Sequence, residues 1–222
     1  MADVAQLVRA SDCGSEGRGF KSHHSPQIVH GKGFFGSLFL PRFTPFSDGF
    51  LYNGMMHSIL LFLAKYLLFV LTLVAFAYWL TLPRPAKIRM VVFGAITGLV
   101  TLVLVKTGAA LYYDPRPFVS HHVTPLYPHA PDNGFPSDHT FAAAVGALTV
   151  FSASRKLGLA LLAGAVAIGA ARVIGHIHSP IDIIGSLVFA TTGYAVALWA
   201  TPFVMPKLRR ADEHLQADEP TR

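Results

Sequence analysis

Hydrophobic and polar positions along this chain fall into long blocks, not into the short alternation of a water-soluble fold. Apolar runs cover roughly residues 58–82, 88–112, 139–154, 157–177 and 180–203. A bilayer crossing needs about 20 consecutive, mainly apolar residues. The pattern therefore predicts an all-α integral membrane helical bundle with about five transmembrane helices. The third run is short and is expected to begin inside a larger loop. Pro83 and Pro85 mark the first turn, and Pro115, Pro117, Pro125, Pro128, Pro131 and Pro136 punctuate the 114–138 loop. A regular helix throughout that loop is excluded, because proline removes a backbone donor and clashes with the preceding turn.

Composition agrees with the pattern. Hydrophobic residues make up 52% and charged residues 14% of the 222, against about 25% charged in a soluble domain. The net charge of +6 raises the question of nucleic acid, but the basic residues are spread between apolar runs and form no single patch, so no nucleic-acid partner is expected. They are better explained by topology. Arg84, Lys87 and Arg89 follow the first span, Arg155 and Lys156 follow the third, and Lys207, Arg209 and Arg210 follow the fifth. With five spans these lie on one side, which the positive-inside rule makes cytoplasmic. The 114–138 loop and the 176–180 turn then face outward together, from an inner or plasma membrane crossed several times. Cys13 is the only cysteine, so an internal disulfide and a cysteine-based metal site are both excluded.

Residues 1–54 differ from the rest. They are rich in Gly, Ser, His and Pro, lack helical periodicity and carry Arg9, Arg18, Lys21, Lys32 and Arg42. Those charges would lie outside, against the rule that orients the other loops. The stretch from Ala5 to Phe20 resembles a peptide that arises when a transfer-RNA gene is translated. Met55 and Met56 stand directly before the first long apolar run. The expectation is a disordered or spurious extension over 1–54, a membrane domain over 55–205 and a cytoplasmic tail over 206–222.

Polar residues gather where the spans meet the outer loops: Lys106 with Asp114-Pro115-Arg116-Pro117-Phe118, then Phe135-Pro136-Ser137-Asp138-His139, then Arg172, His178 and Asp182. Any one of them alone reads as an interfacial anchor. Two histidines, two arginines and an aspartate at one membrane level call for a further reason, because ionisable groups near a span are costly. Their chemistry suits phosphoryl transfer. Guanidinium groups of Arg116 and Arg172 can hold phosphoryl oxygens bidentately, and Ser137 with the helix N-terminus beside it can add donors. Asp182 lies four residues after His178, so it can hold one imidazole nitrogen and leave the other to attack. Pro180 places that pair at a helix start. His139 is positioned to protonate a leaving oxygen.

These three blocks resemble the signature of the type-2 phosphatidic acid phosphatase superfamily, K-x6-R-P, P-S-G-H and S-R-x5-H-x3-D, over roughly residues 57–203. Arg116-Pro117, Pro136-Ser137-Asp138-His139 and Arg172, His178, Asp182 match in order, with Asp138 in place of Gly and Ala171 in place of Ser. The resemblance implies a phosphohistidine on His178, oriented by Asp182, with His139 as acid. It also implies Arg116, Arg172, Ser137 and Asp138 at the substrate, with no metal and no cofactor. The family lysine would fall at Ala109; Lys106 lies one helical turn deeper. It is a phosphate ligand if its side chain reaches outward, and otherwise a buried or snorkelling lysine.

Asp114 could pair with Arg116 or cap the turn. His121, His122 and His129 read as solvated loop residues, His176 as a rim residue, and Phe118, Tyr112 and Tyr113 as an interfacial aromatic belt. The Asp-Pro-Arg-Pro-Phe and Phe-Pro-Ser-Asp-His stretches look most like the bacterial undecaprenyl-diphosphate phosphatases. That implies a polyprenyl diphosphate substrate held in the lipid bilayer, with phosphatidylglycerophosphate or phosphatidate as the alternative. A non-enzymatic transporter or lipid binder is the reading from another class. A proton-coupled transporter would place its ionisable groups near the midplane, whereas here they lie at span ends.

Overall fold

The computed structural model describes the backbone of residues 54–217 and the side chains of residues 54–206. The expectations for residues 1–53 lie outside the described residues.

Six helices follow in order: α1 (Gly54–Thr81), α2 (Arg84–Leu111), the short α3 (Pro117–Ser120), α4 (Asp138–Phe151), α5 (Arg155–Ile174) and α6 (Pro180–Ala217). Four of them, α1, α2, α5 and α6 up to Pro206, are long and apolar enough to cross a membrane. The expected fifth span is α4, with 14 residues. At 1.5 Å per residue it covers about 21 Å, short of the roughly 30 Å hydrocarbon core. Its sequence gives the reason. Pro136 disfavours helical backbone at Phe135 before it, so no helical turn precedes Asp138, and the chain turns again at Ser152. α6 continues as one helix past Pro202 and Pro206 to Ala217.

Burial is inverted relative to a water-soluble protein. Phe69, Leu73, Leu99, Trp199 and Phe203 are exposed, while Arg116, Arg172, His178 and Asp182 are buried. Apolar surface of this extent is stable only against lipid. Between helices the contacts are small. Ala143, Ala144, Ala165, Ile168 and Ala190 form the centre of the core, where α4 packs against α5 and α6. At Gly193 a Cβ would come within 2.6 Å of the Thr97 carbonyl oxygen, so α6 lies directly on the backbone of α2. Small residues let membrane helices approach this closely and gain dispersion energy. Thr97 and Thr101 are buried on the same face, each donating to the carbonyl one turn back, Phe93 at 2.9 Å and Thr97 at 2.7 Å.

The same device fixes the loop that carries the polar cluster. The Phe135 ring sits between α2 and α6, meeting Tyr112 edge-on at 5.0 Å and Phe189 at 5.9 Å. Gly185 makes the room, since a Cβ there would lie 2.3 Å from the ring. Asn133 staples the other side. Its side-chain nitrogen donates to the carbonyls of Ala109 and Tyr112, and its oxygen accepts from the N–H groups of Asp114 and Phe135, at 3.0–3.1 Å. An amide side chain has two donors and one doubly accepting oxygen, and all of that capacity is used. The end of α2, the Asp114–Arg116 segment and the start of α4 are thereby tied together.

Candidate active site

The six-residue spacing from Arg172 to His178 is the length of a helix-ending turn. His176 takes a left-handed conformation, φ 57°. Its N–H bonds the Val173 carbonyl at 3.0 Å, and the Ile177 N–H bonds the Arg172 carbonyl at 3.0 Å. This is the paired arrangement of a Schellman termination. It folds His178 back over the end of α5, directly above the Arg172 side chain.

The four-residue spacing to Asp182 has a different local cause. Pro180 opens α6 with its φ already helical, and Asp182 is the third residue of the first turn. Its Oδ2 accepts from the Ser179 backbone N–H at 2.9 Å, as a capping carboxylate does, and from His178 Nδ1 at 3.0 Å. The predicted pairing at a helix start is therefore present. A carboxylate on Nδ1 requires that nitrogen to carry the proton, which leaves the lone pair on Nε2.

Both guanidiniums converge on that lone pair. Arg116 Nη1 and Arg172 Nη2 each stand 3.3 Å from His178 Nε2. Arg116 is fixed by the Ile177 carbonyl at 3.1 Å and by Asp132 at 2.7 Å. Arg172, only 1% exposed, is fixed by the Tyr127 hydroxyl at 2.8 Å and by the Ala64 carbonyl at 3.0 Å. Ala64 lies in a widened, π-helical turn of α1, Phe62–Tyr66. Leu60 and Ala64 pack there against Ala171, with Leu126 and Tyr127 of the outer loop over them. Among the described residues Arg172 Nε has no hydrogen-bond partner. Buried donors left open in this way suit an anion.

His178 responds to these neighbours. Burial first, then the charges of Arg172 and Arg116, push its pKa down from 6.5 to about 3. The imidazole is thus neutral and nucleophilic at any physiological pH, even with two cations beside it.

The second block closes the site. Ser137 is fully buried. Its hydroxyl accepts from Thr140 at 3.1 Å, its N–H bonds the Asp182 carbonyl at 3.3 Å and its carbonyl accepts from Ser186 at 3.0 Å. Ser137 thus locks the start of α4 to the start of α6. The first N–H groups of α4 have no partner within the helix, and its positive end favours an anion. His139 is half-buried, and Arg172, Asp138, His178 and His129 all lie within its electrostatic reach. Asp138 is exposed at the mouth.

The structure therefore brings His178, Asp182, Arg116, Arg172, Ser137 and His139 together, with Asp138 at the rim. It does not bring Lys106 to them. That residue is exposed on α2, and no hydrogen bond joins it to the site among the described residues. The face of α2 turned to the site carries Val105 and Gly108 instead. Sequence reading missed four participants. Tyr127 and Asp132 hold the two arginines. His129 lies over His178 with ring centroids 6.5 Å apart, so it is not merely a solvated loop residue. Burial first, then Arg116, lowers its pKa. Asp114 neither pairs with Arg116 nor simply caps the turn; it accepts a hydrogen bond from the Ser179 hydroxyl. Periodicity carries no signal for these, because they sit in an irregular loop. Among the described residues no group of three His, Cys, Asp or Glu side chains is placed to hold a metal ion.

A model of the PAP2 superfamily matches residues 86–207, which span all three blocks. The chain is a membrane protein that belongs to the PAP2 superfamily. Among its relatives, the Undecaprenyl-diphosphatase BcrC of Bacillus subtilis (strain 168) is 36% identical over 140 residues, 63% of this chain and 72% of that protein. The Bacitracin transport permease protein BcrC of Bacillus licheniformis is 31% identical over 151 residues, 67% of this chain and 73% of that protein.

The electrostatics give a direct expectation. With histidine isotopically labelled, the His178 ring signals, assigned by their loss in His178→Ala, should stay those of the neutral Nδ1–H form from pH 8 down to pH 5. A titration of that ring near 6.5 would contradict the arrangement described.

Proposed function

We propose that this membrane phosphatase hydrolyses undecaprenyl diphosphate to undecaprenyl phosphate and inorganic phosphate, through a phosphohistidine on His178. The observation that carries the reading is the convergence of two buried guanidiniums on the unprotonated Nε2 of a histidine whose other nitrogen is held by Asp182. The diphosphatase name of the Bacillus subtilis relative supports the choice of substrate.

In the first step the Nε2 lone pair attacks the terminal phosphorus. The bond from phosphorus to the bridging oxygen breaks, and the electron pair leaves on the lipid monophosphate. Burial and the Arg172 charge disfavour a proton on His139 in the empty site; the arriving diphosphate anion reverses that balance, and His139, protonated on substrate binding, gives that oxygen its proton. Arg116, Arg172 and the open N–H groups of α4 hold the equatorial oxygens, where charge gathers in the transition state. Asp182 balances the positive charge that the imidazole gains and keeps Nδ1–H in place. In the second step His139, now a base, takes a proton from water. The water oxygen bonds to phosphorus, the N–P bond breaks, and inorganic phosphate leaves with His178 neutral again. No step in this scheme calls for a metal.

The site lies at the ends of the spans, beside the 112–137 loop, and the basic connections lie at the other end. The positive-inside rule orients that site to the extracytoplasmic face of the inner or plasma membrane. The transport name of the Bacillus licheniformis relative favours a second reading, passage of a ligand through the bundle. The interlocked, mutually bonded polar groups suit chemistry at one fixed site better.

Phosphate release by detergent-purified protein from polyprenyl diphosphates, phosphatidylglycerophosphate and phosphatidate should be fastest with the polyprenyl diphosphate. Loss of a single general acid in His139→Ala should slow it about 10²–10⁴-fold. A preference for phosphatidate would reassign the substrate, and release unchanged in folded His178→Ala would overturn the mechanism. Orientation is tested separately. With Cys13 removed, a cysteine placed at Ser120 should react with a membrane-impermeant thiol reagent in intact cells, and one placed at Ser154 should not. The reverse pattern would put the site in the cytoplasm.

A further inference from the structure

Behind the nucleophile stands a carboxyl group with no part in the reaction scheme. Asp114 is half-buried, and its Oδ2 accepts a hydrogen bond from the Ser179 hydroxyl. The backbone N–H of the same serine donates to Asp182 Oδ2 at 2.9 Å. Gly134 closes the gap from the other side, where an added Cβ would lie 3.0 Å from Asp182 Oδ2 and 3.1 Å from the Asp114 carbonyl oxygen. Ser179 thus bridges the two carboxyl groups, its hydroxyl on Asp114 and its backbone N–H on Asp182, and each carboxyl lies within the other's electrostatic reach.

Two observations bear on which of them holds a proton. Asp182 is fully buried, and its Oδ2 takes both the His178 and the Ser179 donors, while its Oδ1 is left without a donor. A buried acceptor in that state costs on the order of 1–3 kcal/mol. Two ionised carboxylates this close would add repulsion in a poorly solvated site. One proton on Asp114 removes both costs, since a neutral carboxyl has an O–H to donate and an oxygen still able to accept. Ser179 fills the accepting role, which leaves the O–H for Asp182.

We propose that Asp114 is a positioning residue, held as the neutral acid, that donates its proton to Asp182 and so fixes the carboxylate that orients His178. Asp182 then faces His178 with Oδ2 and Asp114 with its other oxygen, and its plane cannot rotate. The site also keeps one negative charge fewer, so its two arginines are less fully neutralised and hold a phosphoryl anion more strongly.

The charged and titratable groups facing Asp114 are Asp182 and His178 from the α5–α6 turn and α6, and Tyr112 from the end of α2. Burial first, and then the Asp182 carboxylate, raise the Asp114 pKa above its ordinary value, against the lowering effects of the Ser179 hydroxyl and of His178. A carboxyl with a raised pKa is neutral at low pH and ionises as pH rises, so the arrangement should weaken toward alkaline pH.

The inference deepens the reading of His178 as nucleophile, and one arm of its test is independent of that reading. Asparagine is the neutral isostere: its NH₂ can donate to Asp182 and its oxygen can accept from Ser179. Asp114→Asn should therefore keep kcat on undecaprenyl diphosphate close to wild type. Asp114→Ala should lower kcat about 10–100-fold, the scale seen when an outer hydrogen-bond partner is lost, with KM unchanged. The Asn variant's activity relative to wild type should rise with pH, because Asn cannot ionise; a merely structural role would leave that ratio flat. Independently of substrate, the infrared spectrum of the wild type should show a protonated-carboxyl C=O band at neutral pH that Asp114→Asn lacks. If Asp114→Asn does not fold, Ser179→Ala should shift the same band. Asp114→Asn as impaired as Asp114→Ala, a flat ratio, or no protonated-carboxyl band would each overturn the proposal. Absence of phosphate release by the wild type, with the band present, would instead sink the substrate reading and leave the assignment of Asp114 standing.

Discussion

Two buried guanidiniums directed at one neutral imidazole nitrogen form the constraint on which the rest of this structure depends. Arg116 and Arg172 cannot both be desolvated beside His178 unless their donors are occupied. The chain supplies mainly neutral acceptors for that purpose: the carbonyls of Ala64 and Ile177 and the hydroxyl of Tyr127. The one carboxylate it gives an arginine, Asp132, is 60% exposed, so its charge is screened by solvent and counts for little against the field at the site. The result is a pocket whose arginines are held in place by neutral acceptors, with Arg172 Nε still open among the described residues, and which is electrically short of an anion, the condition a phosphoryl group meets.

Several features of the fold follow from that requirement. The widened turn in α1 turns a carbonyl toward Arg172 at the level of the site. The Schellman turn after α5 sets His178 above Arg172, and the capping carboxylate of α6 serves also as the partner of the His178 imidazole. Gly185 and Gly108 admit the Phe135 ring, and with it the loop that brings Ser137 to Asp182. Catalytic groups thus sit at the ends of rigid helices, cross-linked through backbone groups that side-chain substitution does not remove. This suits an active site that must work beside lipid, where a mobile loop would leave backbone groups unpaired.

Much of this was legible in the sequence, for identifiable reasons. Long apolar runs gave the helical membrane fold, and the spacings of Arg172, His178 and Asp182 map onto one helix end and one helix start. The short third run of 139–154 extends three residues past the end of α4 at Phe151, because composition carries no mark of the turn at Ser152. Lys106 shares a helix face with Ala109, where the family lysine would fall, but the side chain is exposed on α2, as a snorkelling lysine is. The loop partners Tyr127, His129, Asp132, Asn133 and Asp114 were invisible in their roles. Their positions depend on how an aperiodic, proline-rich segment folds across three helices, and no local rule encodes that.

The central claim is that His178 Nε2 carries the phosphoryl group. Rapid acid-free quenching of purified protein during turnover of a diphosphate labelled on its terminal phosphate, followed by peptide mass spectrometry, tests it most directly. The account predicts an acid-labile phosphate on the peptide containing His178, absent from His178→Ala. Label on another residue, or undiminished turnover with no phosphopeptide at His178, would contradict it.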